Sequence, residues 1–422
     1  MTYTAPRGTR DILPEETPLW QFVEQKAREV FQLYNFHEIR TPIFEHTELF
    51  QRGIGADTDI IAKEMYTFQD RKGRSLTLRP EGTAAVVRAY LESNRHKQEP
   101  LSKLWYQGAM FRYERPQAGR YRQFYQIGCE VFGRGGAYQD AEVIATAQQL
   151  FAAAGLQNLE VQVNSVGCPV CRPRLKEKIQ SFLGANLAQL CGDCRTRFGS
   201  NPLRVLDCKN PRCNEFLVGL PDLTDALCAD CRTHFQSVHD YLDALQLKFQ
   251  VNPRLVRGLD YYTKTVFEVL SGQLGAQNAV CGGGRYDNLV EELGGPALPA
   301  VGFAFGLERA VMLLQGQGAA VPGTLPYIFL LPLGAQADAQ AVLLTAQLRR
   351  AGVPTEIDLA DRGLAAKLKT ASKLQARYVY IIGDNELHEK CGQLKDMRSG
   401  GQEKIGLAEL AEIVAAKHRE KN

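Results

Sequence analysis

Apolar residues recur at helical spacing over residues 18–34, where Leu19, Phe22, Val23, Val30, Phe31 and Tyr34 form one stripe. Pro42 interrupts the extended stretch 39–44 and argues against a central strand there. A helix is expected over 83–92, with Thr83 placed to cap its start. Residues 104–113 and 121–132 read as two strands joined by a polar loop. In the second, a period of two puts Tyr121, Tyr125, Ile127 and Val131 on one face. Arg122, Phe124, Gln126 and Glu130 take the other. Gln and Glu do not normally face a core, so that face is expected to line a polar pocket, with Phe124 able to stack on a base. A helix follows over 141–154, strands over 255–270 and 279–281, and a strand at 300–305 that runs into a helix near Gly306.

Gly316, Gly318, Pro322 and Gly323 mark a boundary. Beyond it the pattern alternates: strand 327–333, helix 337–351, strand 353–359, helix 364–375, strand 378–382. That βαβαβ order predicts a mostly parallel sheet. A short hairpin at Ser399-Gly400-Gly401 and a helix over 407–417 complete it. Between the two parts, residues 165–246 have their own texture, helical and looped, with eight of the 11 cysteines. They read as an insertion. The expected domains are therefore 1–322 and 323–422.

At 422 residues the chain exceeds one ordinary core. Its 45% hydrophobic and 23% charged content excludes a disordered or fibrous chain. A net charge of +3 leaves any nucleic-acid contact to local patches. The first residues lack the apolar core of a signal peptide, and no apolar run is long enough to span a membrane. A cytosolic, reducing location is expected, where paired cysteines suggest metal before disulfides.

Four clusters carry chemistry. Arg112, Arg115, Arg120 and Arg122 crowd one loop against a single acid, Glu114. Guanidiniums fork onto phosphate oxygens, so the loop is either an anion site or a solvated basic tip. Arg257, Asp260, Tyr261 and Tyr262 gather at a strand entrance, where Gly258 permits close backbone approach. Arg257 could instead pair with Asp260. Gly282-Gly283-Gly284 is a turn or a ligand cradle. Arg309 lies in the first turn of a helix, where the dipole favours anions. Glycine-loop phosphate motifs are missing, so arginines would have to hold any ATP. Among the cysteines, Cys168-x2-Cys171 and Cys191-x2-Cys194 are separated by 19 residues, a zinc-ribbon-like spacing. Those four thiolates could close one structural zinc site. Cys208, Cys213, Cys228 and Cys231 leave the pairing open, and reduced buried thiols are the alternative.

In order, RGTRDILPEE, RTPIFEHTELF, TLRPEGT, FRYERPQAGRYRQFYQIG, LVRGLDYYTKTVFE, GGRYD and GFAFGLER closely resemble histidyl-tRNA synthetases, class II aminoacyl-tRNA synthetases of bacterial type. The arginine hairpin resembles class II motif 2, GFAFGLER motif 3, and residues 34–50 the dimer-forming motif 1. The resemblance implies an α/β chain: an antiparallel class II sheet flanked by helices, a helical Cys-rich insertion, and a C-terminal α/β anticodon-binding domain of mixed sheet. It implies a homodimeric histidine–tRNA ligase using L-histidine, ATP, Mg2+ and tRNA(His). By the same resemblance Arg112, Arg257 and Arg309 are catalytic. Arg112, Glu114, Arg120, Phe124 and Arg309 bind ATP. Glu81, Thr83, Arg112, Gln126, Glu130, Arg257, Tyr261, Tyr262 and Tyr286 bind histidine, with Glu130 and Tyr262 on the imidazole. In the C-terminal part Lys369, Lys373 and Arg377 fall at i, i+4 and i+8, one helical face that could meet tRNA phosphates or only solvent. Three other readings compete: a non-catalytic regulatory subunit of ATP phosphoribosyltransferase, a class II enzyme for another amino acid, and a zinc module. The first typically lacks the C-terminal part, the second lacks LVRGLDYY and GGRYD, and the third leaves the arginines unexplained.

Overall fold

The computed structural model describes residues 3–55, 58–208, 210–275, 278–319 and 325–420. The chain divides into two compact units, Met1–Val321 and Pro322–Asn422. Helix Leu307–Gly316 ends at the first of the boundary glycines; Pro322 and Gly323 lie outside the described residues.

The first unit is built on an eight-stranded sheet in the order His37–Glu38, Ser102–Phe111, Gln123–Phe132, Ala300–Gly306, Ala279–Arg285, Thr263–Ser271, Leu159–Ser165, Gln250–Val251. Its interior pairings are antiparallel, and each two-residue edge strand pairs in parallel. Helices Thr17–Leu33, Ala137–Ala153 and Leu307–Gly316 cover one face and share its core. Of the stripe read in the first helix, Leu19, Val23, Val30 and Phe31 are buried, together with Trp20, and Phe31 stacks on Trp105 with ring centroids 5.1 Å apart. Strand Gln123–Phe132 turns Ile127, Cys129 and Val131 into that core. Its alternate residues Phe124, Gln126 and Glu130 line a cavity on the opposite face. Tyr121 and Arg122 precede the strand.

Two local expectations change. The strand expected over 255–270 begins only at Thr263, and residues 255–262 form an irregular loop. A separate three-stranded sheet, ordered Phe44–His46, Ser75–Leu78, Tyr66–Gln69, was not anticipated.

The insertion holds helices Arg172–Gly184, Gly192–Ser200, Pro211–Leu217 and Ala229–Ala244. Leu175, Ile179, Leu203 and Val205 join one core with Tyr106, Val256, Tyr261 and Tyr262, so the insertion backs the cavity wall. Its last helix packs Phe235, Val238 and Leu242 into the core of the main sheet.

The second unit has a five-stranded mixed sheet. Thr355–Ile357, Ile328–Pro332 and Tyr378–Ile382 run parallel, and Cys391–Asp396 and Gln402–Gly406 continue antiparallel. Lys369 and Lys373 are exposed on helix Leu364–Lys373. Arg377 is not on that face. The helix ends at Lys373, and the left-handed backbone of Gln375 (φ 54°) turns the chain into the next strand. Arg377 pairs with Asp396 instead. No helix among the described residues is long and apolar enough to cross a membrane.

Candidate active site

The cavity of about 310 Å³ lies on the sheet face opposite the three helices. Every residue the sequence assigned to ATP or histidine lines it: Glu81, Thr83, Arg112, Glu114, Arg120, Phe124, Gln126, Glu130, Arg257, Tyr261, Tyr262, Tyr286 and Arg309. Not all the flagged arginines do. Arg115 is exposed, and Arg122 lies over the Tyr113 ring at 3.9 Å while its backbone N–H donates to Gly8 O at 2.7 Å.

One end is carboxylate and phenol. Glu130 is buried, and its carboxylate accepts from Thr83 Oγ1 at 2.8 Å, from Tyr106 OH at 3.3 Å and from Tyr286 OH. Burial pushes the Glu130 carboxyl up to about 8 against the pull of those donors. The Glu130 side chain fits because Gly302, on the neighbouring strand, has no Cβ; one built there would lie 1.9 Å from Glu130 Oε2. Glu81 accepts from the backbone N–H of Thr83 at 2.6 Å and of Ala84 at 2.8 Å. It therefore performs the capping expected of Thr83, which is the first helical residue of Thr83–Glu92. Burial raises the Glu81 carboxyl despite those bonds.

The other end is guanidinium. Arg112 donates from Nε to Pro80 O at 2.8 Å and lies over the Phe124 ring at 5.4 Å. Arg120 pairs with Glu114 at 3.0 Å. Arg309 donates to Ala279 O. Burial lowers the Arg309 pKa, and the nearby Arg120 cation lowers it further. Two guanidiniums that repel each other in a partly desolvated cleft stabilise an anion placed between them. Beside Arg309, burial pushes the Glu308 carboxyl up to about 7, although both of its oxygens accept from Tyr125 N–H.

Arg257 pairs with Glu268 and not with Asp260. Burial alone would lower its pKa, but the Glu268 carboxylate more than offsets that and raises it. Asp260 instead accepts from Asn201 Nδ2 at 2.9 Å. The triple glycine, and not Gly258, makes room for the Arg257 side chain. A Cβ on Gly258 would meet open space, whereas one on Gly282 would fall 2.0 Å from Arg257 Nη2. The triple glycine is thus the inside of strand Ala279–Arg285 and not a turn. Arg257 Nε and Gln126 Oε1 are buried without a hydrogen-bond partner, one donor and one acceptor. Such groups are costly unless a ligand satisfies them.

Tyr106, Glu268 and Glu308 also line the cavity and were not singled out. The alternation of the strand holding Tyr106, which sets it opposite the core-facing Trp105, was the available signal.

The proposed zinc set is not one cluster. Cys168 and Cys171 meet Cys228 and Cys231, while Cys191 and Cys194 meet Cys208 and Cys213. The short gap between the first two pairs carries a helix, Arg172–Gly184, that leads the chain away from the first pair.

Comparison with known proteins places this geometry. The family model described as histidyl-tRNA synthetase matches residues 8–169 and 215–310, and the one described as anticodon binding domain matches 328–417. The histidine–tRNA ligase of Desulforamulus reducens is 50% identical over 418 residues, 99% of this chain and 100% of its own. That of Desulforudis audaxviator is 52% identical over 98% of both chains. The crystal structure of apo histidyl-tRNA synthetase from S. aureus superposes with a TM-score of 0.82 at 37% identity, covering 98% of this chain and all of that one. With the cavity residues and both units matched over nearly their whole length, this chain belongs to the histidyl-tRNA synthetase family.

Proposed function

We infer that the chain is a histidine–tRNA ligase. It joins L-histidine to ATP as histidyl-adenylate, releasing pyrophosphate, and then passes the histidyl group to the 3′ end of tRNA(His). The observation that carries this is one cavity with a guanidinium end and a carboxylate–phenol end, bridged by the unpaired Arg257 Nε and Gln126 Oε1.

Activation is an attack by one anion on another, so it needs positioning and positive charge more than a covalent nucleophile. Arg112 holds the α-phosphate and the histidine carboxylate, and Arg257 faces them from the opposite wall. Arg309 and Arg120 take the outer phosphates. Phe124 stacks on adenine, with Glu114 near its amino group. Gln126 Oε1 accepts from the α-amino group, beside Glu81 and Thr83. Glu130 and Tyr262 grip the imidazole, and Tyr261 and Tyr286 complete its walls. Imidazole offers a donor and an acceptor on opposite edges, and a buried pair made for both penalises side chains lacking either. Glu114 and Glu308, which line the cavity beside Arg120 and Arg309, would hold Mg2+ bound with ATP, and the ion would neutralise phosphate charge there.

The C-terminal unit takes the anticodon arm, with Lys369 and Lys373 toward the phosphates. A homodimer, formed through residues 34–50 and the adjoining small sheet, covers Ile43, Phe44 and Phe68, which are exposed in the single chain. The work belongs to the cytoplasm. The regulatory-subunit reading is disfavoured by the complete C-terminal match over 328–417.

Transfer of labelled histidine to tRNA(His), with ATP, tests this directly. Charging of that tRNA and no other is expected. Histidine binding without charging would favour the regulatory subunit.

A further inference from the structure

We propose that the eight cysteines of the insertion form two separate tetrathiolate sites, each holding one zinc ion, and that these sites brace the loop carrying Arg257. The first is Cys168, Cys171, Cys228 and Cys231; the second is Cys191, Cys194, Cys208 and Cys213. Within each, all four sulfurs lie within 4.8 Å of one another. Zinc–thiolate bonds of about 2.3 Å place tetrahedral sulfurs about 3.8 Å apart. The separations are 3.7 Å for Cys168–Cys171, 3.9 Å for Cys168–Cys228 and 3.9 Å for Cys191–Cys208. Disulfide sulfurs would sit at about 2.05 Å, and all these cysteines are free.

The surroundings suit thiolates. The backbone N–H groups of Cys228, Cys191 and Asn210 point at Cys171, Cys213 and Cys208 Sγ, at 3.1, 3.2 and 3.4 Å. Amides aimed at sulfur stabilise the charge that a zinc-bound thiolate retains. The second cluster lies wholly between the two matched stretches of the synthetase model, which leave out residues 170–214. The family pattern therefore does not account for it.

Both sites sit on segments that touch the histidine loop. Arg172, next to Cys171, donates to Tyr262 O. Between Cys194 and Cys208, Asn201 donates to Asp260 and Arg204 donates to Gly258 O at 2.8 Å. The segments are short, and Leu175, Leu203 and Val205 seat them in the core shared with that loop. Bound metal would hold them.

The test is metal analysis of the full chain, made with zinc in the medium and purified without chelator. Two zincs per chain are expected, both released to an indicator dye as a mercurial titrates the eight thiols. One zinc, none, or iron in its place would overturn the assignment. Cys231→Ser and Cys194→Ser should each lower the count from two to one; loss of both ions from either variant would refute two independent sites. If the variants do not fold, the count on the unaltered chain decides. The bracing role rests on the ligase reading and is tested separately. Cys194→Ser should raise the histidine KM in pyrophosphate exchange roughly tenfold and change the ATP KM less. Equal changes in both would overturn the bracing but not the zinc count.

Discussion

Gly282 and Gly302 admit the two side chains on which the cavity depends. A methyl group on Gly282 would overlap the Arg257 guanidinium, and one on Gly302 would overlap Glu130. Gly282→Ala should therefore displace Arg257 and slow histidine activation nearly as much as Arg257→Gln. For the latter, loss of one donor to the developing charge predicts a fall in kcat of roughly 10²–10³-fold. Pyrophosphate exchange by both folded variants checks this; full activity in Gly282→Ala would show that Arg257 is not needed where it lies. Glu130 gives a pH signature. Its folded pKa, about 8, stands above its ordinary value, so the folded state holds a proton that the unfolded chain releases. The associated stability is present below the unfolded pKa and is lost as pH rises toward 8. Glu308, at about 7, adds the same sign over a narrower window. Melting temperatures of the ligand-free protein should fall between pH 5 and 8, and the fall should be smaller in Glu130→Gln. An unchanged slope in that variant would contradict a protonated Glu130. Sequence made these residues legible through type and period: Phe124, Gln126 and Glu130 stood out because a strand turned polar groups inward. Tyr106 did not, because a tyrosine on a strand face looks like core.

Among the elements, the helix Thr83–Glu92 starts on a borrowed cap. Glu81 reaches past Gly82 to accept the free N–H groups of Thr83 and Ala84. Glu81→Gln keeps one acceptor oxygen and loses the charge, which should cost about 1 kcal/mol in denaturant unfolding; no measurable loss would mean the cap is dispensable. Caps are poorly legible because Thr83 and Glu81 are both competent and only the local turn decides. The same limit applied to the Leu364–Lys373 helix, where a left-handed Gln375 removed Arg377 from the lysine face. Lys369→Glu with Lys373→Glu should raise the KM for tRNA several-fold through lost phosphate contacts and leave pyrophosphate exchange without tRNA unchanged. An unaltered tRNA KM would remove this face from the interface. The short strands His37–Glu38 and Phe44–His46 escaped notice because two or three residues carry no readable period. Cysteine pairing escaped for a different reason: sequence spacing favours near neighbours, while the fold brings residues about 60 positions apart together.

The whole molecule confines the cavity to one of its two units. Unit 1–321 holds every cavity residue, and unit 322–422 has its own sheet and core. The alternation of strands and helices in the second unit was legible because most of its elements are long enough to show their period, although strand Thr355–Ile357 spans only three residues. The first unit was legible mainly as an ordered set of motifs, since strands of its central sheet come from distant parts of the chain and no periodicity reports that order. The proposed function divides the cavity, with imidazole selected at one end and a carboxylate activated with ATP at the other. The most direct measurement is ATP–pyrophosphate exchange with each of the twenty amino acids, without tRNA. Exchange with histidine alone is expected, and it should fall roughly 10²–10³-fold in Arg257→Gln. No exchange with any amino acid from folded protein, or equal exchange with several, would contradict the account.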